Sequence, residues 1–249
     1  MAAVRPGPAS IAGLRWLAAV GPSPLGAWGV AMGWGRRATY SHASRLKASG
    51  WLASCERVRG EGSLIWATRA GIRCYGIKAA PINSDPEPNS WAHYDASAWT
   101  CAWLTVRGRA MIAPREMLLR PEWRGRVEWR EHYEPRKRGH RPDLAVRLSS
   151  GGVLPVEVEL TDKSAARLKA VLVLHRQWVL SGLSSGVIYV CANERLAERV
   201  RIAGEDARLS IERNTLRVEL LDTIKRQALE VRGGPAEHDW GMLTTGLCA

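Results

Sequence analysis

The 249-residue chain carries 36 Lys/Arg against 24 Asp/Glu, a net charge of +12 with a pI near 10.1. That length suits two modest hydrophobic cores, and the charge points to a polyanionic partner, most simply nucleic acid. Five scattered Cys without a Cys-x-x-Cys pair argue against a disulfide framework or zinc module and for a reducing, cytoplasmic setting, while the apolar run 11–20, broken by Arg15, is too short to span a bilayer.

The charge is uneven, since residues 1–85 hold eleven Lys/Arg against three acids. Residues 1–9, rich in Pro, Gly and Ala, are expected to be disordered. Apolar spacing predicts helices over 10–20, 25–32 and 36–49, ended by Gly21-Pro22, Gly33-Trp34-Gly35 and Gly50. On the third, Ala43 and Leu46 face inward, while Arg37, Tyr40, Ser41 and Ser44 share the opposite face, with Arg36 at its start. Two strand-like runs follow, 51–58 and 63–68, joined by a turn from Arg59 to Gly62.

Residues 79–90 hold three Pro among Asn, Ser and acids and read as a linker, which sets a first domain at 10–78 and a second at 91–232, with a loose tail at 233–249. A Trp-rich helix is predicted over 91–106; its Trp91, Trp99 and Trp103 fit a core face better than a base-stacking platform. A short helix starting at Pro114 carries Glu116. The run 124–141 is strongly basic and leads into Asp143, which suits either a solvated loop or a hold on a DNA backbone.

Residues 144–160 read as a β-hairpin. Leu144, Val146 and Leu148 alternate, Ser149 to Gly152 supplies the turn, and Val153 to Leu160 returns. On the return strand Val156 and Val158 point one way, Glu157 and Glu159 the other. Asp143 opens the first strand, so the hairpin brings it to the same end as Glu157. Carboxylates gathered on an apolar sheet are costly to bury unless a cation sits among them, and oxygen ligands of this kind suit Mg²⁺ or Mn²⁺. The alternative is an edge hairpin with a solvated acidic face. A helix over 164–180, with His175 on its apolar stripe and so expected in the core, is followed by a strand at 186–192, a helix at 194–202 capped by Asn193, and a strand at 215–221.

Two resemblances refine this reading. The stretch SRLKASGWLASCERVRGEGSLIWATRAG, with three helices before a Gly-tipped hairpin, resembles the winged helix-turn-helix superfamily. It implies that Arg36, Arg37, Tyr40, Ser41 and Ser44 enter the major groove of double-stranded DNA and that Arg57 and Arg59 touch phosphates from the wing. The same module also serves protein contacts elsewhere, with its basic residues solvated.

Pro142-Asp143 followed by Glu157-x-Glu159 looks like the PD-(D/E)XK nuclease signature with its final Lys replaced by Glu159, and Lys163 just beyond can return an ammonium. The longer stretch HRPDLAVRLSSGGVLPVEVELTDKSAARL is similar to the replication-relaxation family of plasmids and integrative elements. That resemblance implies an α/β chain, an N-terminal winged helix followed by a PD-(D/E)XK-like mixed sheet flanked by helices. It implies Asp143 and Glu157 as ligands of Mg²⁺ or Mn²⁺, a catalytic set of Asp143, Glu157, Glu159, Lys163 and Glu116, and action on DNA alongside other mobile-element replication or transfer proteins. Glu116 equally fits a first-turn Glu stabilising the helix dipole. The alternative function is a nuclease-like scaffold without activity, working as a DNA-binding accessory factor or regulator.

Overall fold

A computed structural model describes residues 7–56, 62–74, 76, 77, 79, 82, 85–131 and 133–231. The chain divides into two compact units, the second running Arg109–Arg226 and the first comprising the residues on either side of it. It is mixed α/β throughout. Among the described residues no helix is long and apolar enough to cross a membrane.

In the first unit α1 (Pro8–Val20), β1 (Ser23–Pro24), α2 (Leu25–Ala31), α3 (Arg36–Ala48), β2 (Leu52–Glu56), β3 (Ser63–Ala67), α4 (Arg69–Cys74) and α5 (Trp91–Val106) follow in turn. The three strands form one antiparallel sheet in the order β1-β3-β2. Tryptophan fills this core, in a chain with 12 Trp and no Phe. Trp16 and Trp28 are fully buried, and each indole N–H finds an acceptor, Thr105 Oγ1 at 3.3 Å and the Gly13 carbonyl at 3.0 Å. A side chain at position 13 would run into the Trp28 ring, which explains the glycine there.

The division between units falls after Gly108, later than the Pro-rich stretch predicts. Helix α5 buries Ala96, Ala98, Cys101, Ala102, Trp103 and Leu104 and lies against α2 and β1, so Trp103 serves the core while Trp91 and Trp99 are half-buried. The expected wing contacts Arg57 and Arg59, and the expected tail, lie outside the described residues.

The second unit opens with β4 (Met111–Ile112) and a single turn α6 (Pro114–Met117), then β5 (Gly125–Glu131), β6 (Glu134–His140), β7 (Leu144–Arg147) and β8 (Val153–Glu159). Helix α7 (Ala165–Leu180), β9 (Val187–Cys191), α8 (Glu194–Asp206), β10 (Leu216–Leu220) and α9 (Leu221–Glu230) complete the order. The main sheet runs β10-β9-β8-β7-β4, parallel across β8, β9 and β10 and antiparallel across β8, β7 and β4. Strands β5 and β6 form a separate two-stranded ribbon where the sequence pattern suggests only a basic run.

Helix α7 starts on Ser164, whose hydroxyl accepts the Arg167 N–H, and α8 starts on Asn193, whose side chain accepts the Leu196 N–H at 3.0 Å. Strand β9 is buried at every position, as a continuous apolar run in a parallel pairing should be. Leu168 and Leu172 of α7 pack on Tyr189 and Cys191 of β9, while Val171, Leu174 and Trp178 pack on Ala145, Val127 and Trp123. Glu157 lies opposite Tyr189 and Glu159 opposite Cys191, so the acidic face of β8 turns toward α7. That face is buried, with Glu157 3% and Glu159 4% exposed, which rules out the solvated edge hairpin.

Candidate functional site

Helix α3 buries Thr39, Ala43 and Leu46 against its unit. Arg36, Arg37, Tyr40, Ser41 and Ser44 are all exposed, on the face the spacing predicts. The Arg36 guanidinium lies 5.9 Å from the centre of the Tyr40 ring, a cation over an aromatic face that stays in solvent. The surface is basic, with Arg36, Arg37, Arg45 and Lys47 all exposed along the helix.

The second cluster is built on the β7–β8 hairpin. Asp143 precedes β7, with its N–H donating to the Val156 carbonyl at 3.1 Å and its Oδ2 accepting from the Val158 N–H at 2.7 Å. It therefore continues the ladder one step beyond β7 and stands at the same end of the hairpin as Glu157. Glu159, two residues along, is met by the Lys163 ammonium, which reaches back from the loop before α7. That loop is itself tied down, because Asp162 pairs with Arg195 and Arg199 of α8 and Arg199 also donates to the Lys163 carbonyl at 2.9 Å. Glu159 occupies the position of the signature's lysine, and Lys163 brings a cation onto it.

Glu157 has partners that the hairpin pattern does not predict. Its Oε1 lies 2.8 Å from His140 Nε2 and 2.9 Å from His175 Nε2. His140 ends β6 opposite Gly125, and its ring is stacked over Trp178 of α7 at 6.3 Å. Gly125 is required at that step, since a Cβ would stand 2.4 Å from Leu174 Cδ2 and 3.0 Å from the Trp178 ring. His175, fully buried on α7, is wedged edge-on against Trp178 and Tyr189. It does lie in the core, as its place on the apolar stripe predicts, but it faces a carboxylate there.

Electrostatics divides the three groups. Burial alone would push the Glu157 carboxyl up, yet the charge and hydrogen bond of His140 and the hydrogen bond of His175 hold it well below the usual carboxylate range. Burial would lower His140, but the neighbouring Glu157 charge outweighs it and raises the imidazole. His175 is lowered by burial, against the pull of the Glu157 hydrogen bond. Glu159 is raised by burial despite Lys163, the Tyr189 hydroxyl is pushed well up by burial and the nearby carboxylates, and burial drives the Cys191 thiol to about 12.

His140, Glu157 and His175 form a group that can hold a metal ion, with one ligand atom from each, all within 4.8 Å of one another. Two imidazole nitrogens and one carboxylate oxygen would leave coordination positions for water or substrate. Ring packing orients His175, because its Nδ1 has no hydrogen-bond partner among the described residues; the buried Tyr189 hydroxyl has none either. Of the two metal ligands expected from the sequence, Glu157 belongs to this group and Asp143 does not. The Asp143 carboxylate instead accepts a backbone N–H at the end of the ladder through Oδ2.

Glu116 is also elsewhere. Its Oε2 accepts the Ala113 N–H at 3.1 Å, closing the first turn of α6, and burial raises its carboxyl while the nearest cations are Arg120 and Arg147. Arg147 lies at the turn end of β7, opposite the end where Asp143 stands. Glu116 stands in the first turn of α6, where its carboxylate meets the backbone N–H that precedes the helix. No protein-family model, no curated protein and no solved structure matches the chain.

Proposed function

We propose that the chain is a DNA-binding protein whose second unit is a nuclease-like core acting on DNA phosphodiesters with a divalent metal, in the replication, transfer or transposition of a mobile element. The observation that carries this reading is the gathering of Asp143, Glu157, Glu159 and Lys163 at one end of the β7–β8 hairpin, beside a metal-capable pair of histidines. The sheet supports it, since β8 pairs antiparallel with β7 and, after the α7 crossover, parallel with β9, as a PD-(D/E)XK core requires. In the first unit the order α1, β1, α2, α3, β2, β3 with the sheet β1-β3-β2 supports a winged-helix reading, in which the exposed basic face of α3 would read duplex DNA.

The donor set shifts the choice of metal. Mg²⁺ prefers an all-oxygen shell, whereas two imidazoles with one carboxylate suit Mn²⁺ or a later transition ion. Such an ion would supply Lewis-acid activation of water and of the phosphoryl oxygens. The chain itself contributes His175, whose imidazole burial lowers, Glu157, whose carboxyl His140 and His175 hold well below the usual range, and a Lys163 held in place by Glu159 and by the Asp162–Arg199 pairing. A second reading rests on one fact. Each carboxylate of the cluster has a partner within the protein, which is what an inert scaffold acting only through DNA binding would also show.

Plasmid and single-stranded DNA incubated with Mn²⁺ or Mg²⁺ separate the two, with wild type compared to Asp143→Asn and Glu157→Gln. Cleavage by wild type that is lost in both variants supports the nuclease. Absence of cleavage with DNA binding intact in all three leaves the scaffold, and absence of DNA binding sinks both readings.

A further inference from the structure

The β5–β6 ribbon has no part in the function argued so far, yet it is the most charged surface element of the second unit. Residues 124–141 hold seven Arg/Lys against three Glu. Every described residue of the ribbon from Tyr133 through Gly139 is exposed. Arg124, Arg130 and Arg138 have no carboxylate partner among the described residues, and those pairs that do form, such as Lys137 with Glu128 at 3.4 Å, are exposed and contribute little. Three consecutive cations, Arg136 to Arg138, on a strand of a two-stranded ribbon repel one another for no gain to the fold.

Two details give the charge a direction. The base of the ribbon holds an open recess of about 430 Å³ lined by Arg124, Gly125, Arg126, Lys137, Arg138 and Gly139. The next pair of the ladder is Gly125 with His140, and His140 is the imidazole that reaches Glu157. The basic recess therefore lies one ladder step from the imidazole of the metal-capable group. At the other end Tyr133 is 99% exposed, so the fold gains nothing from its ring, which is free to lie against a partner. Seven residues of extended strand span about 24 Å, enough to follow several phosphates of a duplex.

We propose that the β5–β6 ribbon clamps the phosphodiester backbone of duplex DNA and holds it beside His140, Glu157 and His175, with Arg124, Arg126, Lys137 and Arg138 around the recess and Arg130 further along β5 taking phosphates. This inference rests on the DNA-acting reading of the second unit. It adds a contact surface independent of α3.

The test uses the full chain and a labelled DNA duplex, with dissociation constants measured across a salt series. Wild type is set beside a ribbon variant, Arg124→Gln/Arg130→Gln/Arg138→Gln, and an α3 variant, Arg36→Gln/Arg37→Gln. Each lost phosphate contact removes about 0.9 from the slope of log K against log salt, so the ribbon variant should be shallower by between about two and three and bind at least about tenfold more weakly at 0.1 M salt. With Mn²⁺ its KM for DNA cleavage should rise while kcat is kept, because the ligands of the metal are untouched. All three arginines are exposed, so an unchanged circular dichroism spectrum and melting midpoint are expected. A ribbon variant with wild-type slope, beside an α3 variant that binds weakly, would overturn the clamp and leave the winged-helix reading standing. The reverse pattern supports the clamp and removes α3 from the interface. A wild type that binds no duplex DNA, or prefers duplex RNA, overturns the clamp together with its DNA partner.

Discussion

Two antiparallel hairpins stand next to each other in the second unit, β5–β6 and β7–β8, and they treat charge in opposite ways. The first carries arginines and one lysine on strands exposed to solvent, where its ion pairs, at 2.9 to 3.5 Å, are screened. The second buries two glutamates on a face packed against α7, and each is met by named partners at hydrogen-bonding distance. In water a charge needs no particular neighbour. Inside a sheet it requires one, so the buried hairpin is specified atom by atom while the ribbon is specified only in bulk.

This contrast can be broken experimentally, and the largest effect belongs at Glu157. Glu157→Ala leaves His175 Nε2 buried without an acceptor and should cost about 3–5 kcal/mol, measured by chemical denaturation, whereas Glu157→Gln keeps an acceptor and should cost clearly less. Equal losses for the two would show that the imidazoles do not depend on this carboxylate.

Lys163→Ala comes next. It strands Glu159, and a loss of about 1–3 kcal/mol is expected, partly recovered when Glu159→Gln is added to remove the charge. Failure of the second change to rescue the first would mean that Lys163 acts through the loop and not through the carboxylate.

The pH dependence of the metal-free protein sharpens the same point. Glu157 titrates below its usual 4.5 in the fold, so its contribution is complete above that value and fades as the pH falls. His140 titrates above its usual 6.5, so its contribution is complete below that value and fades as the pH rises through the folded pKa. The stability gap between wild type and His140→Gln should therefore be widest between about pH 4.5 and 6.5. A gap that is flat from pH 4 to 9 would remove the ion pair. The smallest effect lies on the ribbon, where Lys137→Gln should change stability by less than about 0.5 kcal/mol in thermal melts; a larger loss would make the ribbon's charges structural.

The same physics decides what the amino-acid order reveals. Strands β7 and β8 are legible because Val and Leu alternate with polar residues around a Ser-Ser-Gly-Gly turn, and β9 because an uninterrupted apolar run has nowhere to go but the interior. The face of α3 follows from helical spacing alone. Strands β5 and β6 escape notice because Val127 is their only buried residue, so no hydrophobic period marks them. The metal-capable group escapes for another reason. His175 sits among Leu172, Val171 and Leu174 and obeys the core pattern, and only the packing of α7 on the acidic face of β8 gives it a carboxylate to meet. One signal was present: buried Glu at alternating positions of a central strand needs a counter-group, and histidines flank the hairpin on both sides in sequence.

His140, Glu157 and His175 succeed one another along the chain at intervals of 17 and 18 residues. The first interval contains two connections, the step from β6 into β7 and the β7–β8 turn, and the second contains one, the loop from β8 into α7. Ring-closure entropy for such a set is small and grows only logarithmically, so doubling either interval would cost about 0.6 kcal/mol. Lengthening the turn at Ser149 to Gly152, which lies at the far end of the hairpin from all three ligands, is thus a change the chain can absorb while the group still closes. The cluster is short-range in the chain even though its members stand on three separate elements.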